Sequence, residues 1–221
     1  MRAEIRKEVE LIQPLDALER SDKADVLFWI DSGVELCRLE KPAIPPKHLI
    51  SYFAVVDDEH ILLVDHINAE LWLPTGGHVE PGEHPRATVL REAKEELSIG
   101  GAFLDDPPLF LTVTETVGKT AGHTDVSIWY VLRGDRSTEV VFDRSEFHSV
   151  RWFHKDEVPL ERADPQMGAI PSKTGRSRHR AFPRKRLNPR AEPRGGVSRA
   201  EGSPYAAFLH VPRHRSRYAE P

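Results

Sequence analysis

Glu92, Glu95 and Glu96 stand at i, i+3 and i+4 in a stretch that holds no glycine or proline between Pro85 and Gly100. At helical spacing all three carboxylates leave one face of the chain. Neighbouring anions on an exposed helix repel by roughly a few tenths of a kcal/mol per pair, so nothing local favours gathering them. A hard divalent cation would. Mg²⁺ takes oxygen ligands and readily shares its shell with substrate phosphates. Acidic runs are commonly no more than solvated helix faces, so the residues around this one decide its meaning.

Those surroundings follow a strict spacing. Gly77 is followed after five residues by Glu83, after seven more by Arg91-Glu92-Ala93, then one residue on by Glu95-Glu96, with Ile99 three further along. The run GHVEPGEHPRATVLREAKEELSI, with LWLPTGGHVEPGE leading into it, resembles the Nudix box, the signature of hydrolases acting on nucleoside diphosphates linked to another group. The similarity spans about residues 48–160. One position departs from the family pattern: Ser98 stands where a glycine is usual. A glycine there takes positive φ at no cost as the helix ends. Ser98 must either accept about 1–2 kcal/mol of left-handed strain or let the helix run on to Gly100-Gly101.

The resemblance implies roles. Glu92, Glu95 and Glu96 would hold Mg²⁺, with Mn²⁺ as the alternative ion, and the Gly76 carbonyl would add a ligand. Arg91 would steady Glu92 or Glu83 by charge-assisted hydrogen bonds, and Glu83 would support the site or bind through water. The general base is either Glu92 or Glu146, which lies in DRSEFHSVRWF ahead of Trp152, where the family often keeps a base or extra ligand. For substrate, His78 overhangs the glycine pair, and Lys119 and His123 share a later loop. Phe53, Trp72 and Trp129 sit on strands where one face can stack a base. Each has a plainer use: polar loop residues for the first group, core packing for the aromatics.

These groups need a scaffold. LISYFAVVD and HILLVDH read as β-branched strands joined at Asp57-Asp58-Glu59, and LWLP enters the glycine loop. Pro85 suits the first turn of the acidic helix. LFLTVTETV, DVSIWYVLRG and VRWF continue the strands, and a short helix is expected near Lys155–Leu160. The fold class expected is α/β, a Nudix-type α/β/α sandwich with a mixed sheet. Residues 1–45 form a helical N-terminal extension, 46–164 the hydrolase domain and 165–221 a disordered basic tail. The extension is read as IRKEVELI, then Ala17–Ile30 after the break at Pro14. Its apolar faces serve either as a cap on the next domain or as a substrate-selecting or dimerising arm, which makes a homodimer worth testing.

Charge divides the chain as well. Residues 165–221 hold 13 Lys+Arg against 3 Asp+Glu, whereas the remainder holds 18 against 32. The tail shows no sustained periodicity and too little apolar content to offset its ordering entropy. A basic arm binding nucleic acid is the alternative to disorder, and a terminus translated out of frame is a third reading. Cys37 is the single cysteine, so an internal disulfide is excluded and a reducing, cytoplasmic setting is expected. The charged start MRAEIRKEVE is unlike a signal peptide, and no apolar run approaches a membrane span.

The reading is therefore a Mg²⁺-dependent pyrophosphohydrolase in which water attacks a phosphoanhydride of a nucleotide-like small molecule. A catalytically idle nucleotide sensor is the alternative. Isoprenoid diphosphate isomerisation, which also occurs on this fold, ranks lower because it calls for a cysteine at the pocket and Cys37 lies upstream of the first strand. By resemblance, Pro107 and Pro108 come too early for the ADP-ribose marker. Glu115 stands near the place of the tyrosine that marks dinucleoside polyphosphate enzymes. Both points favour nucleoside triphosphates, oxidised ones included.

Overall fold

A computed structural model of the chain describes residues 1–41, 43–118 and 122–163, together with the backbone at 219–220. Lys119 and the expected disordered tail lie outside the described residues, apart from that last pair.

Helix α1 (Arg2–Leu11) ends just before Pro14, and α2 (Ala17–Asp31) opens on Asp16, whose carboxylate accepts from the Glu19 N–H at 2.8 Å. Glu19 returns the favour by accepting from Leu15 N–H at 2.6 Å. This reciprocal capping satisfies two amide donors that the helix start would leave bare. Buried residues Ile5 and Val9 on α1, and Val26 and Ile30 on α2, recur at i, i+4. They enter one apolar cluster with Leu49, Phe53, Val126, Ile128 and Tyr130 of the sheet. The N-terminal helices therefore share the core of the domain they precede. At about 1.5–3 kcal/mol for each fully buried side chain of this size, that face alone holds them down.

The strands are β1 (Lys47–Asp57), β2 (His60–His66), β3 (Leu71–Leu73), β4 (Thr75–His78), β5 (Ala102–Phe103), β6 (Phe110–Glu115), β7 (Val117–Gly118), β8 (Thr124–Arg133) and β9 (Phe147–His154). The β1–β2 hairpin closes at Asp58, which takes φ 52°. The main sheet runs β3-β2-β1-β8-β5, with β4 on β1, β6 on β8 and β9 on β2. β1 and β8 pair in parallel and the other pairs in this sheet are antiparallel, giving the mixed sheet expected. β7 pairs with the backbone of residues 219–220.

Alternation sorts the sheet into two faces. Leu49, Phe53 and Val55 point with Ile128, Tyr130 and Leu132 toward the three helices, including α3 (Pro85–Leu97) through Val89, Ala93 and Leu97. Ala54, Val56, Trp129 and Val131 point the other way, covered by Leu104, Leu109, Val158 and Ala163.

The short helix expected over Lys155–Leu160 is not there. Residues 155–157 turn, and a single 3-10 turn follows at Leu160–Arg162. Pro159 explains the change: it lacks an N–H and disfavours a helical Val158, so it can begin a turn but not end a helix. Among the described residues no helix is long and apolar enough to cross a membrane.

Candidate active site

α3 starts with His84, whose ring nitrogen accepts from Arg86 N–H at 3.2 Å, and with Pro85 in the first turn. It ends at Ser98, which adopts φ 53°, ψ 27°, so this chain accepts the left-handed strain instead of prolonging the helix. The carboxylates keep the register the spacing required.

Facing them, β4 pairs with β1 so that Gly76 lies opposite Tyr52 and Gly77 opposite Ser51. Both glycines are demanded by close approach. A Cβ on Gly76 would fall 2.7 Å from Tyr52 Cδ1 and 2.8 Å from its Cα. One on Gly77 would fall 3.0 Å from Glu92 Cγ and overlap its carboxylate carbon and Oε1. Glu92 thus presses directly on the β4 backbone. Gly77→Ala is expected to push that carboxylate away, cutting turnover at least about 100-fold, as misplacement by an ångström does. Steady-state rates and a melting curve on the variant check this.

Arg91 ties the group together. Its Nε and Nη2 donate to the two oxygens of Glu83, both at 3.0 Å. Nη1 donates to Glu92 Oε1 at 2.7 Å and to Glu95 Oε2 at 3.4 Å, and Nη2 also reaches the His78 carbonyl at 3.2 Å. Glu83 further accepts from Thr88 Oγ1 at 2.7 Å and from Glu80 N–H at 3.2 Å. Burial alone would raise the Glu83 pKa, but these donors outweigh it and hold it below the usual carboxylate range. The same hydrogen bonds, Glu83 foremost, push Arg91 still higher than a free guanidinium.

Glu92 and Glu96 differ. Burial raises Glu92 despite the Arg91 contact. Burial, followed by the charges of Glu92 and Glu146, pushes Glu96 up to about 9. Glu96 Oε2 is buried and has no hydrogen-bond partner among the described residues. A proton or a cation must answer it, because an isolated buried carboxylate is costly.

A cleft of about 460 Å³ is lined by Gly76, Gly77, His78, Arg91, Glu92, Glu96 and Glu146, and also by Arg38 and Lys41. The fold brings these predicted residues together, and Glu83 supports them through Arg91. Glu95 is exposed at the edge, engaged with Arg91. Phe53 is not at the cleft: it is 1 % exposed in the helix-side core. Trp72 packs edge-on against Phe153, and Trp129 stacks between Tyr52 and Phe110. These three aromatics hold the sheet, the commoner use of such residues. Cys37 is buried, its thiol donating to the Glu80 carbonyl at 3.4 Å, and burial pushes its pKa up to about 11, so it stays a neutral thiol. Arg38 and Lys41 went unnoticed in the sequence. They follow the predicted helices in a proline-rich connector, which the Leu49 N–H to Leu36 carbonyl bond at 2.7 Å and the burial of Leu36 and Cys37 fix beside β1.

A family model for the NUDIX domain matches residues 47–172. The chain is 30 % identical over 112 residues to the asymmetrical bis(5'-nucleosyl)-tetraphosphatase of Rattus norvegicus, covering 51 % of this chain and 75 % of that protein. The Sus scrofa protein of the same name is 32 % identical over 106 residues, covering 45 % and 67 %. Among solved structures, a C. elegans Ap4A hydrolase matches at 20 % identity and TM-score 0.46 over 58 % of this chain and 96 % of that one. A NUDIX family hydrolase from Clostridium perfringens matches at 20 % identity and TM-score 0.46 over 56 % and 92 %.

Proposed function

The chain belongs to the Nudix family and is a pyrophosphohydrolase, and from that premise we propose that it uses Mg²⁺ to hydrolyse a nucleoside polyphosphate in the cleft between β4 and α3. One observation carries the metal: Glu96 Oε2 is buried beside Glu92 and Glu146 with no hydrogen-bond partner among the described residues. The oxygen-only donor set suits Mg²⁺, and the glycine pair leaves room for carboxylate against backbone. Glu92, Glu95, Glu96 and the Gly76 carbonyl would hold the ion. Bound there, it would neutralise phosphate oxygens and acidify a water.

The chain's own residues do the remainder. Arg91 fixes Glu92 in place and keeps Glu83 charged, so the carboxylates are oriented before substrate arrives. Arg38 and Lys41 offer positive charge to phosphates further along the cleft. Glu92 and Glu146 are the two groups able to take the proton from the attacking water. Glu92 is held in one place by Arg91 and by the Gly77 backbone, so we assign it that role. Glu146 is exposed at the cleft and serves to hold charge opposite Glu96.

For substrate, we rank dinucleoside tetraphosphates first, a reading supported by similarity to proteins named bis(5'-nucleosyl)-tetraphosphatase. Nucleoside triphosphates are the second reading, favoured by Glu115 at the place where a tyrosine is the usual marker. The test is a product-resolved panel of dinucleoside polyphosphates, canonical and oxidised triphosphates, and nucleotide sugars. Turnover is expected with Mg²⁺ and its loss is expected on adding EDTA. Glu146→Gln is expected to retain most of the rate. Hydrolysis indifferent to chelation would end the metal assignment, and an inert Glu146→Gln would move the base to Glu146.

A further inference from the structure

His78 leaves β4 beside a second group of donors that hydrolysis does not use. His48 on β1, His78 on β4 and Asp125 on β8 each present one donor atom, and the three atoms lie within 4.8 Å of one another. Register builds this meeting: His48 is the parallel partner of Asp125, and Ile50 is the partner of His78. His123 flanks the group. Asp125 Oδ1 is 3.3 Å from His48 Nε2 and 3.4 Å from His123 Nε2. The His48 ring lies 5.0 Å from that of His78 and 5.2 Å from that of His123, centroid to centroid.

Burial and hydrogen-bond partnering set the arrangement apart. His48 is 0 % exposed, and its Nδ1 sits 3.0 Å from the Pro45 carbonyl. A carbonyl only accepts, so Nδ1 donates to it and Nε2 faces Asp125. Among the described residues His48 Nε2, His78 Nε2 and Asp125 Oδ1 are all buried without a hydrogen-bond partner. Three such buried atoms converging on one point suit a shared cation. The spacing names its kind. Ligands about 2.0–2.1 Å from a tetrahedral Zn²⁺ stand roughly 3.3–3.4 Å from each other, which the distance between Asp125 and His48 matches. Imidazole favours Zn²⁺ over Mg²⁺. The remote nitrogen of His48 is already anchored on the Pro45 carbonyl, as metal-binding histidines require.

We propose that His48, His78 and Asp125, with water as fourth ligand, bind one Zn²⁺ separate from the carboxylate-held ion. The site ties β1, β4 and β8 together at the strand that bears Gly76 and Gly77, making it a staple for the cleft wall. It is independent of which polyphosphate the cleft takes.

The test measures metal, not turnover. Full-length protein dialysed against Zn²⁺ with millimolar Mg²⁺ present is expected to retain one equivalent by elemental analysis. Co²⁺ in its place is expected to show the intense visible bands of a four-coordinate ion. His78→Gln and Asp125→Asn should each weaken binding beyond the roughly 10–100-fold that losing an outer hydrogen-bond partner costs. The Glu95→Gln/Glu96→Gln double variant should bind as the wild type does. X-ray absorption on zinc-loaded wild type needs no variant to fold, and should show nitrogen and oxygen near 2.0–2.1 Å with imidazole scattering beyond. Zinc that Mg²⁺ displaces, zinc lost with the carboxylate variant, or a spectrum without imidazole overturns the proposal.

Discussion

Glu96→Gln is expected to lower kcat by about 10³-fold or more at saturating Mg²⁺, because it removes a charge that the transition state needs and the empty ground state resists. The same change is expected to stabilise the metal-free protein. Glu96 is held near a pKa of about 9 by burial and by Glu92 and Glu146, against an ordinary 4.5. The folded chain therefore binds more protons than the unfolded one between those values, and metal-free stability falls as pH rises across that window. At about 1.4 kcal/mol per pH unit, the loss through this one group reaches up to about 4 kcal/mol by pH 7.5. Gln does not titrate, so the variant should escape that loss.

Two melting series in EDTA, from pH 5 to 9, check the sign. Wild type should lose Tm steadily as pH rises, and Glu96→Gln should lose much less. Adding Mg²⁺ should restore wild type most at the alkaline end, where the carboxylate is easiest to deprotonate, and restore the variant little. A variant melting below wild type throughout would mean that Glu96 is an ordinary hydrogen-bonded glutamate and that the cleft was not built around a cation. Loss of stability and loss of rate ordinarily travel together in a point variant. Here they are expected to part, which separates a site residue from a structural one.

How much of this was legible depends on the range of the interactions. The helix, its acidic face and the Arg91 contacts were readable because Glu83, Arg91, Glu92 and Glu95 lie within thirteen residues and obey local periodicity. The strands showed themselves by alternation. Ser98 presented two backbone outcomes, and only the packed structure chose between them. Phe53 and Trp129 could not be placed from sequence, since an aromatic on a strand looks the same whether its face meets a helix or a ligand; the choice rests on parity in a sheet whose partners are far away. Arg38 and Lys41 were invisible for a related reason, as the connector that carries them is fixed by a long-range backbone bond. The His48–His78–Asp125 group is the extreme case. His78 and His48 had no local partner, because theirs arrive through the register of three strands.

Arg91→Ala is the second large effect, and it is expected to damage both fold and rate. One guanidinium holds both oxygens of Glu83, one oxygen of Glu92, the edge of Glu95 and the His78 carbonyl. Without it, Glu83 and Glu92, with side chains only 17 % and 13 % exposed, would have no cation between them. Breaking a buried pair costs about 3–5 kcal/mol, and partial exposure here lowers the expectation to about 2–3. Turnover should fall about 10²–10³-fold, since Glu92 would no longer be held against Gly77. Lysine offers charge without the planar fork, so Arg91→Lys should recover more stability than rate. Thermal melts alongside kcat for Ala and Lys variants decide it. If Lys restores both in equal measure, Arg91 matters only as a charge; if Ala leaves the rate intact, the carboxylates orient themselves and the guanidinium has no part in positioning them.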